Sequence, residues 1–296
     1  MGVYHAGSRA VQDLVGVRER ADHVGRSLGQ DIKVVAAAFL ELQPLLVVGA
    51  ADPGTGGVWA SALTGAPGFV RATGPRRMSV VTGARHGPLA TALATPGTRV
   101  GTIALDPRTR RRMRLNGRLT PTARGFAVEA DQVFSNCPKY IQRRDSYETP
   151  AGRTPGTSRR LTGLHADAEA LIRSADTFFL ATVHPGGADV SHRGGNPGFV
   201  HVTSPRELAW PDYSGNAMFL SLGNLRADRR AGLLFLDWDT GTTLQLTGEA
   251  RAEFAPDGTR TVRFTLAEAR WTPAALPLRW SPPEYSPANP PANVGE

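Results

Sequence analysis

Two short stretches of the chain carry side chains suited to holding an anion. Ser191 and Arg193 lie two residues apart, so on a strand they share one face. A hydroxyl beside a guanidinium suits a phosphate, because arginine offers a planar fork of donors. Gly194 and Gly195 follow directly and permit close approach of another chain or of a flat ligand. Further on, Pro211-Asp212-Tyr213-Ser214-Gly215-Asn216 reads as the entry to a helix over 215–226. Ser214 is then its N-cap, and the free amides of Gly215 and Asn216 favour an anion. A plainer reading stays open: Arg193 on a surface strand, Gly194-Gly195 a bulge, and Ser214 a cap alone, since motifs this short recur by chance.

Other reactive residues are weaker candidates. Cys137 sits in Asn136-Cys137-Pro138-Lys139-Tyr140, where Lys139 can lower the thiol pKa; a buried inert cysteine is the competing reading. The seven histidines show no i, i+4 ligand spacing, so no metal site is expected. His192 alternates away from Ser191 and Arg193 and is expected to face solvent. Arg110, Arg112 and Arg114 share one face of an expected strand, either a solvated face or a basic lining for an anion.

The elements that position these residues emerge from an internal repeat. GGVWASALTGAPGFVRATGPR, from Gly56, and GGADVSHRGGNPGFVHVTSPR, from Gly186, agree at 11 of 21 positions. The match resumes one residue out of phase: Arg99-Val100-Gly101 pairs with Arg230-Ala231-Gly232, Leu115 with Leu246, and Gly117 with Gly248. The order of matches implies two copies of one fold. Ser61 stands opposite Ser191, but Leu63 stands opposite Arg193, so only the second copy keeps the anion-binding set. The expected organisation is a helical segment over 1–30, a first domain over 31–145 and a linker over 146–163. A second domain over 164–280 and a disordered Pro-rich tail over 281–296 follow. Each copy reads as about six short strands with one inserted helix, a mainly β (α+β) fold built on a small antiparallel barrel.

With these residues in place, the chain resembles the FMN-binding split barrels of the pyridoxamine 5′-phosphate oxidase superfamily, and most of all their tandem, flavin-nucleotide-binding branch. The resemblance rests on 191–200 (SHRGGNPGFV), 211–224 (PDYSGNAMFLSLGN), 230–237 (RAGLLFLD) and 244–248 (LQLTG), with 108–117 and 134–144 in the first copy. It implies two tandem split β-barrels packed as an intramolecular pseudo-dimer, with FMN at their interface. By the same resemblance the phosphate lies on Ser191, Arg193, Gly194, Ser214, Gly215 and Asn216, while Ser221 and Asn224 line the ribityl chain or ring. Thr243 falls where the oxidases place a flavin-contacting glutamine. Asn136, Cys137, Lys139, Tyr140 and Gln142 of the first copy reach over the isoalloxazine, and 276–280 resembles a tail that closes over the site. The Tyr-x-x-x-Arg-x-x-x-Ser pattern with which those oxidases grip their substrate is missing from 250–265. The implied function is therefore an FMN-dependent oxidoreductase that is not a vitamin B6 oxidase. A non-catalytic flavin or haem carrier is the alternative.

Composition limits the remaining classes. The formal charge is +8, but it comes from arginine spread along the chain, with Lys33 and Lys139 as the two lysines. A basic balance without a recognisable nucleic-acid motif argues against nucleic acid as the partner. One cysteine excludes a disulfide framework and fits a cytoplasmic protein. No apolar run approaches the roughly 20 residues of a membrane span. The expected partners are a small-molecule substrate and NADH or NADPH, with the chain as a monomeric pseudo-dimer or a homodimer.

Overall fold

The computed structural model describes residues 3–83, 87–135 and 137–291. Three helices, α1 (Ala6–Leu14), α2 (Arg18–Gly25) and α3 (Val34–Glu41), precede the first sheet. Its strands are β1 (Leu45–Ala51), β2 (Val58–Thr64), β3 (Val70–Gly74), β4 (Arg77–Val81), β5 (Arg99–Asp106), β6 (Arg111–Thr122) and β7 (Gly125–Phe134), with α4 (Ala90–Ala94) between β4 and β5. Two short strands follow, β8 (Tyr147–Glu148) and β9 (Arg159–Leu161). The second half opens with α5 (Ala166–Ser174), then β10 (Thr177–His184), β11 (Gly187–Gly194), β12 (His201–Ser204) and β13 (Glu207–Pro211). It continues through α6 (Leu220–Ala227), β14 (Arg230–Leu236), β15 (Thr243–Phe254), β16 (Arg260–Thr272) and β17 (Arg279–Trp280). The protein is mainly β, and its sheets are antiparallel throughout. Among the described residues, no helix is long and apolar enough to cross a membrane.

The two large sheets have the same strand order. The first runs β2-β1-β5-β6-β7-β4-β3 and the second β11-β10-β14-β15-β16-β13-β12, with β9 added to β16. The apolar runs of β1 and β10 follow from burial on both faces. Leu46, Val48 and Ala50 point into the core of the first half, and Phe178 and Leu180 into that of the second. The alternating partners Leu45, Val47, Phe179, Ala181 and Val183 meet in a third core between the halves.

That seam is two-sided. A Cβ on Gly101 of β5 would lie 2.5 Å from the Asp189 backbone of β11. A Cβ on Gly232 of β14 would lie 2.6 Å from the Val58 carbonyl of β2. Each half thus presses a side-chain-free position of one strand against the hairpin strand of the other, as an isologous interface does.

Several expectations change. α5 is capped by His165, whose side chain accepts from the Ala168 amide. Residues 146–163 contribute β8 and β9 to sheets rather than running free. Leu276, Leu278 and Trp280 are buried in the seam core with Trp238, not over a site. Of the tail expected to be disordered, 281–291 is held: the Arg143 and Glu284 backbones pair, and Gln142 Oε1 accepts from the Ser286 amide at 2.7 Å. Residues 292–296 lie outside the described set.

Candidate functional site

β11 crosses the seam with Ser191 and Arg193 on one face, as its two-residue period requires. Opposite them, β6 of the first half presents Arg112 and Arg114. Between these strands lies a cavity of about 390 Å³. The loop after β7 supplies Cys137, Lys139 and Tyr140, the segment before α6 supplies Asp212, Tyr213 and Phe219, and α2 contributes Arg20 and Val24.

The charges are arranged in layers. Arg114 pairs with the buried Asp189 across the seam, and Asp189 also accepts from Asn116 at 3.0 Å. Arg193 pairs with Asp212, which Arg260 holds from behind at 3.0 Å. Arg112 pairs with no carboxylate among the described residues; it donates to the Cys137 carbonyl at 2.9 Å and to His192 Nδ1 at 3.0 Å. Burial first, then repulsion from Arg114 and Arg193, pulls the Arg112 guanidinium down to about 9. Burial, then repulsion from Arg112 and Arg193, holds His192 well below the usual imidazole range, so the ring is neutral and accepts from Arg112. The Nε atoms of Arg112 and Arg193 and Nε2 of His192 are buried without a partner. This donor set is incomplete until an anion arrives, and it fits a phosphate.

α6 opens toward the same space. It starts at Leu220, five residues later than expected, with Phe219 as N-cap in the left-handed region (φ 52°) and no side-chain cap bond. Ala217 (φ 63°) and Tyr140 (φ 65°) are left-handed as well. Such backbone strain gathers where surrounding structure over-determines a site. Arg260 lies over the Phe219 ring at 5.4 Å, and the Tyr140 and Tyr213 rings lie 5.2 Å apart on one wall. Ser221 and Ser191 hydroxyls are linked at 3.0 Å.

Of the residues singled out from sequence, Ser191, Arg193, Gly194, Gly215, Asn216, Ser221, Cys137, Lys139 and Tyr140 line this cavity. Others fall elsewhere. Ser214 is exposed and caps nothing; its carbonyl accepts from the Tyr140 hydroxyl at 3.0 Å. Asn224 is buried on the side of α6 away from the cavity, accepting from His5 and donating to Thr182. Thr243 is buried on β15 away from the cavity. Gln142 is a buried clamp that donates to the Tyr140 carbonyl at 3.0 Å and accepts from the tail. Asn136 lies outside the described residues. Gly194 serves close approach, but of protein: a Cβ there would meet the Tyr140 carbonyl at 2.0 Å. Cys137 is exposed rather than buried. His192 is buried against Arg112 rather than solvated.

Arg112 and Arg114 were detectable from the alternation of β6; Arg20 and Val24 carry no local signal. In the first half the matching positions are closed. Leu63 is buried in the core, and Gln245, at the position of Arg114, donates to the Ser61 hydroxyl at 2.7 Å.

The second half is an open antiparallel sheet with a helix inserted before its fifth strand, facing an arginine-lined seam. Residues 164–295, somewhat under half of the chain, match the model of the family described as pyridoxamine 5′-phosphate oxidase. Among solved structures, a putative pyridoxamine 5′-phosphate oxidase from Lactobacillus delbrueckii is 17% identical over 37% of this chain and 94% of its own, with a TM-score of 0.30. A FAD-binding protein from Mesorhizobium loti is 12% identical over 39% of this chain and 97% of its own, with a TM-score of 0.28. No curated protein matches the chain.

Proposed function

We propose that the chain is a tandem pair of split barrels that binds one FMN at the seam and acts as an FMN-dependent oxidoreductase with a substrate other than a B6 vitamer. The observation that carries the reading is the partly buried Arg112 guanidinium, which meets no carboxylate among the described residues and lies in one cavity with Arg193 and Arg114. The family model matched by the second half and the shared strand order of the two sheets support it. In this reading Arg112, Arg193 and Ser191 hold the phosphate, and the α6 N-terminus adds its dipole. Tyr140, Tyr213 and Phe219 flank the flat ring system and exclude water. When bound, the flavin supplies hydride and electron transfer.

The test is an absorbance spectrum of the purified protein, with mass spectrometry of whatever is released on denaturation. A colourless protein that takes up no added FMN ends the flavin reading. Bleaching of the bound flavin by NADH or NADPH separates an enzyme from a carrier.

A further inference from the structure

The cavity has a third wall, built from the N-terminus. Arg20 and Val24 of α2 line it, and Gln12 of α1, wholly buried, donates to the Met218 carbonyl at 2.9 Å, just before α6. Tyr4 and Ala21 pack with Met218, Leu220 and Phe134 in a separate small core. Residues 4–28 therefore form an arm from the first half laid across the cavity and the α6 helix of the second.

The arm is fastened at its root. A Cβ on Gly7 would lie 2.2 Å from the Gly223 carbonyl, and one on Gly223 would lie 2.5 Å from the Ser8 Cα, so α1 and α6 touch backbone to backbone. Beside that contact the His5 ring stacks on His184 of β10, with centroids 4.2 Å apart and planes 9° from parallel.

Both rings are held in neutral forms by their hydrogen bonds. His5 Nδ1 accepts from the Gly7 amide at 3.2 Å, capping α1, and its Nε2 is left to donate to Asn224 Oδ1 at 2.8 Å. His184 Nδ1 accepts from the Gly186 amide at 3.1 Å. A proton added to either Nδ1 would displace a backbone amide and set a charge against the stacked ring.

The groups facing the pair are few. Ser8 on α1 and Asn224 on α6 bond His5, and Thr182 on β10 bonds Asn224 in turn. His184 feels Asp189 on β11, which favours its charged form, and Arg99 on β5 and His5, which oppose it. Arg99 is fixed at the Gly186 carbonyl, 2.6 Å away.

We propose that the N-terminal arm is a pH-sensitive strap over the cavity, latched by the stacked neutral His5–His184 pair and released when the pair is protonated. Burial lowers both imidazoles, His184 to about 4. The sign follows: the latch is complete above the ordinary histidine value near 6.5 and is lost as pH falls toward about 4.

The test is hydrogen exchange of residues 6–25 on the full chain without added ligand, read as protection factors, so its outcome does not depend on the flavin reading. A full shift would give roughly thirtyfold loss of protection between pH 7.5 and 5, and partial exposure of both rings reduces this to about tenfold. The comparison is the double variant His5→Asn, His184→Phe, which keeps a cap and a flat ring but cannot titrate here. Its protection should be flat across that range. Gly223→Ala should free the arm at either pH while the core of the first half, followed in the same samples, stays protected. An arm equally protected at both pH values, or one that loosens equally in the double variant, would overturn the proposal.

Discussion

Replacing Arg112 with Met should make the ligand-free protein more stable and its anion binding weaker. In the absence of ligand, Arg112 holds a partly buried charge with no carboxylate beside it among the described residues, and its pKa falls more than three units below the ordinary arginine value, to about 9. At about 1.4 kcal/mol per pKa unit this is at most ~5 kcal/mol of destabilisation. Two charge-assisted hydrogen bonds, to the Cys137 carbonyl and His192 Nδ1, oppose it at about 1.5–3 kcal/mol each. The opposing contributions nearly cancel, and the net gain on substitution is at most ~2 kcal/mol. At roughly 2–4 °C per kcal/mol for a chain above 150 residues, the melting temperature should rise by no more than about 8 °C and should not fall. The same substitution removes a charged phosphate contact worth ~1.5–3 kcal/mol, so affinity for FMN should fall about 10- to 100-fold. Thermal melting without ligand and fluorescence titration with FMN read the two effects separately. A variant that melts lower and binds FMN as tightly as before would refute the view of Arg112 as a charge waiting for an anion. Wild-type affinity should also decline as pH rises through about 9, since the cationic form is the one that binds.

The remaining predictions concern the asymmetry and the seam. Arg193→Ala should weaken FMN binding at least tenfold, because its carboxylate partner, Asp212, is already shared with Arg260. Leu63→Ala, at the matching position of the first half, should cost about 2–5 kcal/mol of stability in denaturant melts and leave affinity unchanged. Gly232→Ala should destabilise the whole chain by several kcal/mol, since its Cβ meets backbone of the opposite half; a neutral melt would show the seam to be loose. Gln142→Ala should expose the tail near residue 286 to proteolysis, because both its bonds to Ser286 and Asn289 vanish.

The motif shared by the two halves was readable because its matches keep their order, and the two halves form sheets with the same strand order. Ser191 and Arg193 were readable as a pair because a strand's two-residue period is a local property. Local rules failed where a second chain segment intervenes. Ser214-Gly215-Asn216 has the composition of a helix start, yet the chain stays irregular to Phe219. There the Tyr140 hydroxyl takes the Ser214 carbonyl and Arg260 covers the Phe219 ring. His192 does point away from Ser191, but that side of β11 is not solvent: it is the seam, where Arg112 waits. The tail has the proline content of a disordered segment, yet its backbone pairs with Arg143 at Glu284 and bonds the Gln142 side chain at Ser286, partners that lie about 140 residues away in the chain.

From sequence alone came the repeated motif in the two halves, the alternation that pairs a hydroxyl with a guanidinium, and the lack of that pair at the matching positions of the first half. These are contacts between near neighbours in the chain, or comparisons of the chain with itself. The tertiary structure decided which half faces which. Because β5 and β14 each meet the other half's hairpin, Arg112 and Arg114 are brought from 80 residues away to Ser191 and Arg193. The same packing brings Arg20 and Val24, on an arm over residues 4–28, to the edge of the same cavity. A charge without a counterion can be recognised as such only when every neighbour is in place, since electrostatics depends on distance in space and not on separation along the chain.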